Sequence, residues 1–159
     1  MDIILKLLEK NARISLEELA AACNITAEQA AAQLDGYKEN KIIGGFHTII
    51  DWEKAGSDYV TALIELRVSP QKNSGFDALA EEVVRFPEVD SVYLMSGGYD
   101  LAVIIHAKNF KEIAFFVSER LAPIDNVLST ATHFILRRYK DWGVTLMDTE
   151  KDERRELGL

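Results

Sequence analysis

The hydrophobic period of this chain changes once, and that change limits its possible folds more than any other feature. Up to residue 43, apolar side chains recur three and four residues apart, as on one face of a helix. Beyond "DWEKAGSD" they alternate, as in half-buried strands, with two helical interruptions. The chain therefore predicts a small helical unit followed by a mixed one, an α+β protein.

Three helices are expected before residue 43. Ile3, Ile4, Leu7 and Leu8 form an apolar stripe. In "SLEE", Ser15 can cap the next helix while Glu18 reaches back to the cap, and Leu16, Leu19, Ala20 and Cys23 supply its buried face. "NIT" breaks that helix, because Asn24 tolerates a left-handed backbone, and Thr26 with Gln29 forms a second capping box. The third helix buries Ala30, Leu34 and Tyr37. Two helices joined by so short a turn predict a helix-turn-helix, and the glycine-broken "KIIGGFHTIID" predicts a wing or linking strand.

The second half predicts a strand at "YVTALIELRV", a helix at "FDALAEEVVRF", strands at "VDSVYLMS" and "YDLAVIIHA", a helix at "FKEIAFFVSERLAP" and a strand at "NVLSTATHFILRRYK". Gly97-Gly98 between the middle strands suits the positive φ angles of a tight hairpin. The order β-α-β-β-α-β is the ferredoxin-like split unit, with two helices on one face of four strands. In the last strand, Phe134 and Leu136 alternate with Ala131, His133 and Ile135, so both faces are largely apolar. A sheet with helices on one side only then implies a partner sheet, and a homodimer is expected.

Charge sharpens the functional question. The net charge is −8, against the basic surface expected of a nucleic-acid binder. Up to residue 50, Lys6, Lys10, Arg13, Lys38 and Lys41 face Asp2, Glu9, Glu17, Glu18, Glu28, Asp35 and Glu39. The third helix presents Glu28, Ala32 and Asp35 outward, and Gly36 weakens it by about 1 kcal/mol relative to alanine. Candidate DNA contacts are Thr26 and Gln29 at its start, Gln33 for an adenine edge, and Arg13, Lys38 and Lys41 for phosphates. Weak binding of double-stranded DNA is the expectation, with a helix that only packs as the alternative. The single cysteine, Cys23, suits core packing in a reducing cytoplasm, and no apolar run is long enough for a membrane span. His47, His106 and His133 lack ligand spacing, and no catalytic, metal or cofactor motif is present.

A helix-turn-helix, a glycine-broken strand and a βαββαβ unit together resemble the Lrp/AsnC family of transcription regulators over nearly the whole chain. The resemblance is carried by "RISLEELAAACNIT", "IIGGF", "FPEVDSVYLMSGGYDLAVII" and "STATHFIL". It implies DNA binding as dimers or rings of dimers, and response to an amino acid or related small molecule through the C-terminal unit. It also implies effector contacts at Gly98, Tyr99 and Asp100, where peptide amides and a carboxylate would receive a zwitterion, and at Thr130 and Thr132. Where the family carries arginines in the third helix, this chain has Ala32, Gln33, Asp35 and Gly36. The expected division is a winged helix-turn-helix over 1–46, a linking strand and hinge over 47–57, a ferredoxin-like effector and dimerisation domain over 58–145, and an acidic tail over 146–159. Two rival functions remain. One is an effector-sensing protein that regulates by pairing with another protein. The other is an enzyme like the sirohaem decarboxylases, which share the two-part architecture but need cationic side chains around a histidine; no arginine lies near His47.

Overall fold

A computed structural model describes residues 2–57, 60–69 and 75–147, and the chain divides into two compact units at Ile49/Ile50. The acidic tail from residue 148 onward lies outside the described residues.

The first unit has three helices: α1 (Ile3–Lys10), α2 (Leu16–Cys23) and α3 (Ala27–Glu39). Each begins where a short polar side chain satisfies amides that have no partner within the helix. Asp2 accepts from the Ile4 amide at 2.9 Å. Ser15 Oγ accepts from the Glu18 amide at 3.1 Å while Glu18 accepts from the Ser15 amide at 2.9 Å. Thr26 and Gln29 repeat that exchange at 3.2 and 2.9 Å. Asn24 ends α2 in the left-handed region at φ 54°, as its place in "NIT" predicts. Ile4, Leu19, Ala20 and Ala30 form the buried centre, with Leu7, Leu8, Cys23, Leu34 and Tyr37 packed around them. Ile3 and Leu16, expected in that core, are exposed.

The wing and linking strand are not formed. After α3 the amides of Ile42 and Ile43 both donate to the Tyr37 carbonyl, at 2.8 and 3.1 Å. Residues 44–51 then run without helix or strand, and residues 52–56 form turns. A strand needs a neighbour to complete its ladder, and among the described residues this stretch has none. Exposed apolar side chains nevertheless stand within it at Phe46 and Ile50, and beside it at Ile42 and Trp52.

The second unit is the expected split unit: β1 (Val60–Val68), α4 (Asp77–Val83), β2 (Val89–Leu94), β3 (Leu101–Ala107), α5 (Phe110–Phe116) and β4 (Val127–Ile135). A short π-helical turn, Val117–Leu121, extends α5. A small hairpin of β5 (Lys140–Asp141) and β6 (Val144–Thr145) follows. The sheet order is β2-β3-β1-β4, antiparallel throughout. Ala62, Ile64, Leu66 and Val68 of β1 and Leu101, Val103 and Ile105 of β3 face Leu79 and Val83 of α4 and Ile113 and Phe116 of α5. Fully burying the valine, leucine, isoleucine and phenylalanine side chains among these stabilises by about 1.5–3 kcal/mol each.

The opposite sheet face follows from the register. Leu63 pairs with Ile104 and His133, Glu65 with Ala102 and Ala131, and Thr61 with His106 and Ile135. Two imidazole–carboxylate pairs interrupt its apolar surface. His133 lies 3.2 Å from Glu65, and His106 lies 3.5 Å from Asp90. The His106 Nδ1 is also 3.0 Å from Thr61 Oγ1, and Thr61 is 7% exposed. The uncovered face is therefore more polar than the alternation of β4 alone suggests.

Candidate functional site

The helix-turn-helix places its predicted residues on exposed ground, but several are already occupied. Thr26 and Gln29 spend their oxygens on the α3 cap. Lys38 Nζ lies 3.2 Å from Asp35 Oδ1, a one-turn ion pair with both groups exposed, so part of its charge is locally offset. Lys41 sits just beyond α3 at φ 55°. Arg13 is exposed, its amide donating to Asn11 Oδ1 at 3.0 Å. Gln33 is exposed on α3, and around Gly36 there is open space where a side chain would stand. Tyr37 donates a hydrogen bond to Asp2, which ties the end of α3 to the start of α1. That bond holds the Asp2 carboxyl below its ordinary range and raises the Tyr37 hydroxyl above its own. Sequence reasoning passed over it, because it joins residues 35 positions apart.

The loop between β2 and β3 spans residues 95–100 and is closed by the Met95 amide donating to the Asp100 carbonyl at 2.8 Å. It is not the tight glycine hairpin that "GG" predicts. Neither Gly97 nor Gly98 adopts a positive φ, and nothing lies within 4 Å of where a Cβ on either would stand. Asp100 anchors the loop twice. Its amide donates to the Leu66 carbonyl at 2.9 Å, and its Oδ2 accepts from the Val68 amide at 2.8 Å. The register of β1 against β4 slips between Arg67 and Val68, so the aspartate satisfies an amide beside an irregular ladder. Tyr99 is half-buried in the same loop.

Thr130 and Thr132 stand opposite Leu66 and Ile64, on the helix side of the sheet, and both are half-buried. Since Asp100 binds Leu66 and Thr130 pairs with Leu66, the loop and this threonine share one end of the sheet. They flank β1, so about two strand spacings, roughly 10 Å, separate them. Thr132 lies one row deeper. A groove of about 540 Å³ opens at the other end, beside Val60, Thr61 and Ile135. Among the described residues no group of histidine, cysteine and carboxylate side chains could hold a metal ion. None of the helices there is long and apolar enough to cross a membrane.

Residues 61–144 match the model of the Lrp/AsnC ligand binding domain. The chain is 42% identical over 153 residues to the HTH-type transcriptional regulator YugG of Bacillus subtilis, covering 96% of this chain and 92% of that one. It is 31% identical over 140 residues to the HTH-type transcriptional regulator PH0140 of Pyrococcus horikoshii, covering 88% and 85%. Among solved structures, the regulator NMB0573 of Neisseria meningitidis, in complex with L-Met, superposes with a TM-score of 0.68 at 20% identity, covering 89% of this chain and 93% of that one.

Proposed function

This chain belongs to the Lrp/AsnC family of helix-turn-helix transcription regulators, and we propose that it binds duplex DNA weakly as a homodimer, or a ring of dimers, and takes an amino acid at the β2–β3 loop. The observation that carries the effector reading is the loop itself. Gly97 and Gly98 have no positive φ and open space where a Cβ would stand, which leaves the loop backbone open to a ligand. Asp100 uses Oδ2 within the fold, which leaves Oδ1 to accept from a ligand ammonium, while loop amides can receive its carboxylate. The L-Met complex of the Neisseria relative supports this ligand class.

The DNA surface is the exposed side of α3 with Gln33, and the cations Arg13, Lys38 and Lys41 around it. The dimer forms through the uncovered sheet face, where Leu63, Ala102, Ile104 and Ala131 gather.

Fluorescence anisotropy of the full chain with random duplex, at low and moderate salt, tests the DNA half. Binding is expected at low salt with a shallow dependence, since each phosphate neutralised contributes only about −0.9 to the slope of log affinity against log salt. No binding to any duplex at low salt would turn the reading toward a protein partner. Melting with each amino acid tests the effector half. A ligand at about a hundred times its Kd stabilises by about 2.7 kcal/mol, and no shift with any of them would remove the loop from consideration.

A further inference from the structure

Residues 50–57 have no helix or strand to hold them, yet two long-range bonds fix them across one end of the sheet. Arg138 Nη2 donates to the Ile50 carbonyl at 3.1 Å, and Lys54 Nζ donates to the Leu146 carbonyl at 3.4 Å. The partners are 88 and 92 positions apart, so local sequence gives no sign of them. The segment pinned in this way forms one wall of the groove of about 540 Å³ beside Val60. That volume lies within the range of pockets that hold small molecules.

Two properties of the lining narrow what can fill it. Its apolar side chains stand in the open: Trp52, Phe110, Ile135 and Leu136 line the groove, and all four are exposed, Leu136 to 89%. Its charges, moreover, do not cancel. Lys108, Arg137 and Arg138 line it against Asp51 and Glu53. Arg138 is engaged by Asp141 at 3.1 Å, and Asp51 by Lys54, whose amide it also accepts from. Among the described residues neither Lys108 nor Arg137 makes an ion pair, and the Arg137 guanidinium lies 5.5 Å from the centre of the Tyr139 ring. Two uncommitted cations thus meet one uncommitted carboxylate, Glu53, in a chain whose net charge is −8. A surplus of positive charge beside an apolar wall suits an anion with an apolar body. A guanidinium can take a carboxylate through two parallel N–H bonds, and the body would cover apolar surface that now meets water. A zwitterion gains less, because the same cations repel its ammonium.

We propose that this groove binds a small monocarboxylic acid with a branched aliphatic or aromatic body and no ammonium group. Lys108 and Arg137 supply the countercharge, and Trp52, Phe110, Ile135 and Leu136 receive the body. The site is at the opposite end of the sheet from the β2–β3 loop, so it is additional to the effector reading above and does not rest on it.

Tryptophan fluorescence of the full chain tests it. The chain has two tryptophans, Trp52 and Trp142, and only Trp52 lines the groove, so Trp142→Phe leaves a single indole as reporter. Titration of that chain with isocaproate should give a saturable change in emission. Isocaproamide has the same body without charge, and leucine has it with an ammonium. Each should bind at least about tenfold more weakly, the scale of one lost interaction with a charged group. Adding Lys108→Gln and Arg137→Gln together should weaken isocaproate by about tenfold or more. Leu136→Glu, which places a carboxylate on the exposed wall, should do the same, with circular dichroism unchanged in both cases. Asp100→Asn, directed at the β2–β3 loop, should leave the titration as it was. Absence of a saturable response to isocaproate would overturn the proposal, as would equal affinity for the amide or for leucine. Undiminished binding by the Lys108 and Arg137 double variant would overturn it too, and a response lost in Asp100→Asn would move the ligand to the loop.

Discussion

Asp100 shows how one side chain can carry two demands. Its Oδ2 holds the Val68 amide at a residue only 5% exposed. Asp100→Ala should therefore cost about 1–3 kcal/mol in urea unfolding, the penalty of leaving a buried donor unpaired. Asp100→Asn keeps an oxygen for that amide and removes the charge, so it should retain most of the stability while weakening any bound ammonium. Equal stability losses for the two variants would refute this division of roles. His106 gives the second expectation. Burial pushes its pKa down, and a neighbouring arginine, Arg138, adds to this while Asp90 opposes it. The folded chain then binds its proton at lower pH than the unfolded chain, whose imidazole titrates near pH 6.5. Stability is full above that value and falls as pH drops through the depressed folded pKa. Thermal melts from pH 7.5 downward should show this slope, and His106→Gln should flatten it. At this scale the sequence displayed the helix caps, because Ser15 with Glu18 and Thr26 with Gln29 act within one turn. It hid the Glu65–His133 and Asp90–His106 pairs, which exist only once strand register is set.

Elements with strong local signals are where they were expected, while the expected linking strand and the tight glycine hairpin are not. The three N-terminal helices and the four strands follow from period and capping. Residues 44–51 have the β-branched composition of a strand but find no ladder among the described residues of the single chain. The π-helical turn Val117–Leu121 has no sequence signal, for "VSERL" reads as ordinary helix. α3 carries the testable consequence. Asp35 offsets Lys38 at 3.2 Å, so Asp35→Arg both frees that lysine and adds a cation on the same face. The variant should bind random duplex more tightly in anisotropy, with a slope against log salt steeper by about one to two phosphate contacts per chain. An unchanged slope would mean that this face does not meet the backbone.

For the molecule as a whole, the pairing order matched the split unit strand for strand. What sequence left unresolved was the uncovered sheet face. Alternation along β4 predicted an apolar surface, while the folded register mixes Leu63 and Ile104 with two imidazoles. Ile104→Glu, at the middle of that face, would bury a carboxylate in any sheet-to-sheet contact, an unpaired charge that costs several kcal/mol. Light scattering of the full variant should report a smaller species with unchanged circular dichroism, and a wild-type mass would exclude this face from the interface. The plain stretch at 44–51 also bears on inheritance. The buried clusters on either side of it share no residue, so a mutation that loosens one core asks for no compensating change in the other. A genetic crossover falling within that stretch would pass on two intact cores, and a descendant could exchange its sensor while keeping its reading head.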